Sequence, residues 1–148
     1  MDRKMKSFIL QQMKDHKTMT VATLRGDGWP QATTVTYVSD GLNLYFGCDP
    51  DSQKVRNIAQ CNRISAAIDH DEEDWNRIKG LSMAATAEVL SDPQEIDYAL
   101  TLLGRKFPAL AEAGKPDPSE IAVVKLVPKV VSVIDYEKGL GHTDLMEV

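Results

Sequence analysis

The sequence predicts a mainly β fold: an antiparallel sheet of about six strands closed into a small barrel, with helices packed on it. Three observations carry this. Short β-branched or alternating runs follow one another through tight turns over residues 18–46, further runs cover 64–69 and 78–90, and a long β-branched stretch covers 121–134. With so few strands, closure is the economical way to remove hydrogen-bonding edges.

Met5, Phe8, Ile9 and Met13 recur at helical spacing, so the first element is an amphipathic helix that stops near Asp15, His16 and Lys17. Residues 18–24 are rich in Thr and Val and read as the first strand. Gly26-Asp27-Gly28 turns the chain, and Pro30, which cannot donate to a ladder, stands at the entry of a strand expected over 31–38. Asp40-Gly41 is a hairpin signal, after which Leu42, Leu44 and Phe46 alternate with Asn43 and Tyr45. Asp49-Pro50-Asp51-Ser52 then offers N-cap residues to a short helix with Val55, Ile58 and Ala59 on its apolar side, closed by Asn62. A fourth strand is expected over 64–69, the acidic run Asp71-Glu72-Glu73-Asp74 as a solvated loop, and a fifth strand over 78–90 with small residues at Ala84, Ala85 and Ala87. Asp92-Pro93-Gln94-Glu95 carries a capping Asp, a Pro at the first position and a Glu at the third, and Ile96, Ala99, Leu100 and Leu103 supply that helix with its buried stripe. Residues 114–119 form a loop, and the last strand, over 121–134, is interrupted at Pro128.

The chain has 148 residues, the length of one domain, with no repeat, linker or low-complexity segment, so residues 1–148 are expected to form a single unit. Hydrophobic residues make up 43% and charged residues 26%, ordinary values that exclude a disordered tail or a disulfide-stapled miniprotein. Lys and Arg number 17 against 22 Asp and Glu, a formal charge of -5 that argues against binding a nucleic-acid backbone but leaves room for one local phosphate pocket. Cys48 and Cys61 are too far apart for a C-x-x-C motif and read as free thiols in a reducing compartment. The charged N-terminus with its short Phe8-Ile9-Leu10 run is no signal peptide, and no apolar stretch is of membrane-spanning length, so the expected location is the cytoplasm. There is no Walker-type loop, G-x-G-x-x-G, G-x-S-x-G or H-E-x-x-H, so hydrolase chemistry has no support.

Ser52, Gln53 and Lys54 fall in the first turn of a helix, where free amides and the positive end of the dipole favour an anion, although Ser at that position more often serves only as a cap. Arg56 and Asn57 lie just beyond. Thr33, Thr34 and Thr36 are expected across a two-residue turn from Tyr45-Phe46-Gly47-Cys48, an arrangement that suits a flat heteroaromatic ligand with polar edges; as ordinary β-formers the threonines need no such explanation. His16 suits a helix C-terminus, while His70 stands beside the acidic run with no ligand partner in view, so no metal site is expected. Trp29 and Trp75 fit either ordinary packing or a dimer interface.

From Val21 to Ile68 the sequence resembles the flavin-binding split-barrel family named after pyridoxamine 5′-phosphate oxidase. The matching residues are Ala22-Thr23-Leu24, Asp27-Gly28-x-Pro30, Thr34-Val35-x-Tyr37, Asp40-Gly41, Leu44-Tyr45-Phe46 and Ser52-x-Lys54-Val55-Arg56-Asn57-Ile58. Lys79-Gly80-Leu81-Ser82 with Thr86-Ala87-Glu88 resembles the family's next strand, and the likeness extends over about residues 7–135, leaving 136–148 as a tail. The resemblance implies a six-stranded antiparallel split β-barrel, two of which pair as a homodimer with FMN in the groove between them. It would place the FMN phosphate on Ser52, Gln53 and Lys54 with Cys48 nearby, and the isoalloxazine and ribityl parts against Thr34, Val35 and Thr36. Lys79, Gly80, Leu81 and Ser82 become candidate contacts, supplied in part by the partner subunit. The implied activity is that of an FMN-dependent oxidoreductase; a flavin carrier or sensor, or a barrel binding F420 or haem, is the alternative. The tail 135–145 lacks the arginine of the biosynthetic oxidase's C-terminal substrate-gripping motif, which weighs against vitamin B6 oxidation. His142, in Gly139-x-Gly-His, is a further candidate contact if the tail folds over the groove and does not fray.

Overall fold

The computed structural model describes residues 2–148. Helix α1 (Arg3–Asp15) starts at Asp2, whose carboxylate accepts from the Lys4 amide, and turns Ile9 and Met13 inward. Strands β1 (Thr18–Leu24) and β2 (Pro30–Thr36) form the first hairpin, in register from Thr18 opposite Thr36 to Leu24 opposite Pro30. Tyr37 interrupts the strand expected over 31–38. Beyond it β3 (Val38–Asp40) pairs with β4 (Asn43–Cys48) through a turn in which Gly41 adopts φ +58°, a conformation that glycine takes without steric cost. Helix α2 (Gln53–Gln60), strands β5 (Arg63–Ile68) and β6 (Lys79–Val89), helices α3 (Pro93–Lys106) and α4 (Pro108–Glu112), and strands β7 (Ala122–Asp135) and β8 (Thr143–Glu147) follow.

Every pairing is antiparallel, and the order across the sheet is β2-β1-β5-β6-β7-β4-β3, with β8 on β7. Strands β2 and β3 lie at opposite ends of that order, yet only Tyr37 separates them in sequence. The sheet must therefore curl until its ends meet, which gives the expected mainly β split barrel.

Among the described residues, eight strands replace the six expected. One addition is β3, cut from the second strand at Tyr37. The other is β8, formed by the residues read as a tail. Strand β4 accompanies β7 only from Ala122 to Leu126, so the same edge of β7 is open further on, and β8 takes it from Val130 to Ile134. Pro128 does not break β7. The register slips there, with Ala84 opposite Val130 and Ala85 opposite Pro128, and the carbonyl of the extra residue, Lys129, accepts from the Val148 amide at 2.9 Å.

The main core fills the barrel with Ile9, Met13, Met19, Val21, Phe46, Leu81, Val124 and Val131 among others. A second cluster lies outside it, where Ala99 and Leu103 of α3 pack on Val38, Tyr45, Leu90 and Val123. Helix α2 is fixed by a polar contact as much as by an apolar one. Ile58 is buried as expected, but Ala59 is exposed and Asn57 takes the inward position with 1% exposure. Its Nδ2 donates to Thr23 Oγ1 at 2.9 Å and to Gln31 Oε1 at 3.2 Å, and its Oδ1 accepts from Gln53 Nε2 at 2.8 Å.

Tyr37 is fully buried, and its hydroxyl donates to the Met13 carbonyl at 2.7 Å. The Lys106 ammonium lies 4.0 Å from the ring centroid and donates to the His16 carbonyl, which fastens the end of α3 to the end of α1.

Two expectations follow. Burial lowers the Lys106 pKa to about 8 from 10.5, so between those values the unfolded chain binds more protons and stability rises with pH. The gain stops near pH 10, where tyrosines ionise in the unfolded chain while burial keeps Tyr37 neutral in the folded one. Urea titrations between about pH 8 and 10 should show wild type gaining stability relative to Lys106→Met; parallel profiles would remove Lys106 as the source. Asn57→Ala, which leaves the buried Thr23 hydroxyl without its donor, should cost about 2–3 kcal/mol in the same measurement, and a loss below about 0.5 kcal/mol would show that the contact is dispensable.

Candidate functional site

Strand β4 leaves the barrel at Cys48, and the next four residues make a turn in which Asp49 Oδ1 accepts from the Asp51 amide at 2.8 Å and the Asp49 carbonyl from the Ser52 amide at 3.0 Å. This turn brings Ser52 to the N-cap position of α2, but the Ser52 side chain makes no cap hydrogen bond. Its hydroxyl points instead toward Cys48 Sγ, 3.8 Å away. The first backbone bond of the helix runs from the Arg56 amide to the Ser52 carbonyl, so the amides of Gln53, Lys54 and Val55 lack intrahelical acceptors. Lys54 is half-buried and takes part in none of the ion pairs among the described residues. The Gln53 side chain is already engaged, accepting from Arg56 at 2.9 Å and donating to Asn57. Burial raises the Cys48 pKa, against a weaker opposing pull from Ser52 and Lys54, so its thiol stays protonated and unreactive at neutral pH.

The threonine strand is placed differently from the expectation. Strand β2 is laddered to β1, not to β4, because the hairpin partner of β4 is the short β3 that Tyr37 sets apart. Thr33 and Val35 are half-buried, with Val35 against the main core, while Thr34 and Thr36 are exposed on the outer face. Thr34 Oγ1 lies 3.5 Å from Thr20 Oγ1. Thr36 and Gly47 help to line a half-open cavity of about 860 Å³ whose far wall is Leu100, Leu103 and Gly104 of α3 together with Leu110 and Ala111. Its size is that of a small-molecule site. Ser52, Gln53 and Lys54 are not part of its wall.

Lys79, Gly80, Leu81 and Ser82 open β6. Cys48 is opposite Ala122 and Val124 is opposite Val89, so the start of α2 lies at the other end of β6, roughly 30 Å from Lys79 along the strand. One chain does not gather the two groups into a cluster. Leu81 is 1% exposed and belongs to the core, and Gly80 is buried where an added Cβ would come within 2.7 Å of the Ile68 carbonyl. Both have packing reasons for their identity, and only their backbones are free to meet a ligand. Lys79 pairs with Glu137 at 3.1 Å, and Ser82 is exposed. His142 sits in the turn before β8, at the Lys79 end, with its Nε2 2.9 Å from Asp144 Oδ2. That contact holds the Asp144 carboxyl below its usual range.

Two features escaped the sequence. Gln31 and Thr23 anchor Asn57 from β2 and β1, a contact that neither the Ala22-Thr23-Leu24 block nor Gln31, outside every motif, announces. His70 does have a neighbour, because His16 Nε2 lies 3.0 Å from its Nδ1 across 54 residues of chain. No group of three or more His, Cys, Asp or Glu suited to a metal occurs among the described residues. Cys48 and Cys61 are free, and among the described residues no helix is long and apolar enough to cross a membrane. Trp29 and Trp75 are 72% and 68% exposed, so neither serves ordinary packing.

No curated protein matches the chain by sequence. Among solved structures, it is similar to a Clostridium acetobutylicum protein of the pyridoxinephosphate oxidase family related to general stress protein 26 of B. subtilis, with TM-score 0.75 and 16% identity over 100% of this chain and 97% of that one. It is also similar to a haem-binding protein from Mycobacterium smegmatis, with TM-score 0.76 and 25% identity over 96% of this chain but only 56% of that one. The haem storage protein HutZ from Vibrio cholerae matches with TM-score 0.68 and 18% identity over 81% and 87% of the two chains. These likenesses agree with the closed antiparallel barrel. The family model for pyridoxamine 5′-phosphate oxidase matches residues 1–135, which include β1 to β7 and the α2 turn, and the chain therefore belongs to that family.

Proposed function

We propose that the chain is an FMN-dependent oxidoreductase that works as a homodimer, with the flavin phosphate at the start of α2. The observation that carries this reading is the open first turn of that helix. Three amides lack acceptors, the Ser52 hydroxyl stands in the cap position without capping, and the Lys54 ammonium is unpaired among the described residues. A phosphate dianion satisfies all of them through charge-assisted hydrogen bonds and the helix dipole. The neutral Cys48 thiol can stand beside it without repulsion. Thr34 and Thr36, exposed on the outer face of β2, and the backbone of Val35 would offer donors and acceptors to the ring and ribityl chain. When bound, FMN supplies the redox chemistry, and this chain's part is to bind it, orient it and exclude water. Gln53 contributes through its backbone amide, since Arg56 and Asn57 hold its side chain.

A second copy is favoured by the outer face of the sheet. One cross-strand row runs Thr34, Thr20, Ala67, Ser82, Ser132, Leu145 through six strands, and only its last member is large. Such a low, continuous surface suits face-to-face packing of two sheets. The pairing offers a way for Lys79 to Ser82 and His142 of one protomer to approach the α2 end of the other. The haem-binding relative, 25% identical, supports a second reading in which the same groove takes haem.

The absorption spectrum of freshly purified protein separates the readings. Flavin bands that persist on gel filtration are expected; a Soret band would shift the assignment to haem, and colourless protein that takes up no FMN would overturn it. Lys54→Ala should weaken FMN binding about tenfold or more in a fluorescence titration, and unchanged affinity would place the phosphate elsewhere. Thr20→Arg, on an exposed position at the middle of the face, should convert a dimer to monomers in light scattering without lowering thermal stability of the monomer. A dimer that survives it is held by another surface.

A further inference from the structure

We propose that His16 and His70 form a binding site for a divalent transition-metal ion of the zinc or copper type, joining the end of α1 to the connection between β5 and β6. Their facing nitrogens, His16 Nε2 and His70 Nδ1, are 3.0 Å apart. Two imidazoles bound to one ion at about 2.0–2.1 Å place their nitrogens about 2.9 Å apart at a right angle and about 3.3 Å apart at the tetrahedral angle. The pair already lies within that span.

The other two ring nitrogens fix the protonation pattern. His16 Nδ1 is 2.7 Å from the Gln12 carbonyl, which can only accept, so Nδ1 carries the proton and Nε2 presents a lone pair to His70. His70 Nε2 faces Glu72 Oε2 at 3.7 Å, and Glu72 is itself held by the Asp74 amide on Oε1 at 3.1 Å. If the His70 proton sits on Nδ1 to serve His16, a bare Nε2 lone pair confronts the carboxylate. If it sits on Nε2, toward Glu72, two lone pairs confront each other across 3.0 Å. A second proton on His70 would satisfy both neighbours without a metal, and a metal cation in the gap resolves the second arrangement without that proton. Both rings are then neutral, His16 Nδ1–H keeps the Gln12 carbonyl, His70 Nε2–H faces Glu72 Oε2 at 3.7 Å, and both near nitrogens donate to the ion. A ring nitrogen on the metal with the opposite N–H on a carbonyl or carboxylate is the usual setting of a ligating histidine.

The surroundings favour a cation. Asp69, Asp71, Glu72, Glu73 and Asp74 flank His70 in sequence, whereas the nearby Lys106 ammonium is directed at the His16 carbonyl. The His70 side chain is 48% exposed, which leaves an entry path and open coordination positions for water. Imidazole ligands select zinc, copper or nickel over magnesium or calcium.

The test uses untagged protein stripped with chelator, titrated with Zn2+ by calorimetry and with Co2+ by visible absorption. The expected result is one ion per chain, affinity at least about tenfold lower in His16→Gln and in His70→Gln, and a smaller loss in Glu72→Gln. The Co2+ spectrum should lack a thiolate charge-transfer band, which sets Cys48 and Cys61 aside. Because His70 is exposed and His16 half-buried at a helix end, circular dichroism of each variant should match wild type. Uptake unchanged in both histidine variants, a thiolate band, or no uptake at millimolar metal would overturn the site and leave a hydrogen-bonded histidine pair only. None of these readouts depends on flavin.

Discussion

Closure of the sheet at Tyr37 is the constraint on which the remaining features depend. Strands β2 and β3 occupy opposite margins of the ladder and are covalently joined through this one residue, so an open sheet is sterically unavailable once the other pairings form. The buried phenol anchors the crossing to the Met13 carbonyl, and the Lys106 ammonium on its ring reaches the neighbouring His16 carbonyl. Removing the hydroxyl would leave a helix-end acceptor dry, and removing the ring would leave a void where three elements converge.

Closure also divides the outside of the barrel into two regions. Around β3, β4 and the start of β7 the wall is apolar and α3 covers it. Around β2, β1, β5, β6 and β8 it is small and polar, and none of the described residues covers it. The cavity between Thr36, Gly47 and α3 lies on the border of these regions. On the proposed reading, the overall acidity would not oppose a phosphate, because the binding potential would come from a helix start and one ammonium, both local, and net charge acts mainly at longer range.

Features set by neighbours in sequence were legible in it. Residues 18–24 alternate and form a strand with those bounds; Asp40-Gly41 makes its hairpin; Asp92 accepts from the Gln94 amide with Pro93 at the first helical position. The start of α2 was legible as a possible anion site for the same reason, although only the structure shows that Ser52 does not cap it. Features set by partners distant in sequence were not. Strand β8 exists because β4 stops short along β7, a fact about ladder length. The threonines pair with β1 because the chain breaks at Tyr37, which no local pattern marks. Asn57 displaces Ala59 from the inward face because Thr23 and Gln31 await it there. The His16–His70 contact spans 54 residues and has no local signature at all.

Strand β7 gives the molecule a temporal order as well as a spatial one. It is hydrogen-bonded to β6, to β4 and to β8, yet it follows β4 by more than 70 residues. While a ribosome is still making residues 122–135, the β4 and β6 edges that will receive them are both bare, and the loop between β4 and β7 has not been closed. Folding is thereby weighted toward long-range contacts and delayed until β7 itself has been made. In that interval an edge of each strand is open to pairing with other chains, and the formal charge of -5 opposes such pairing.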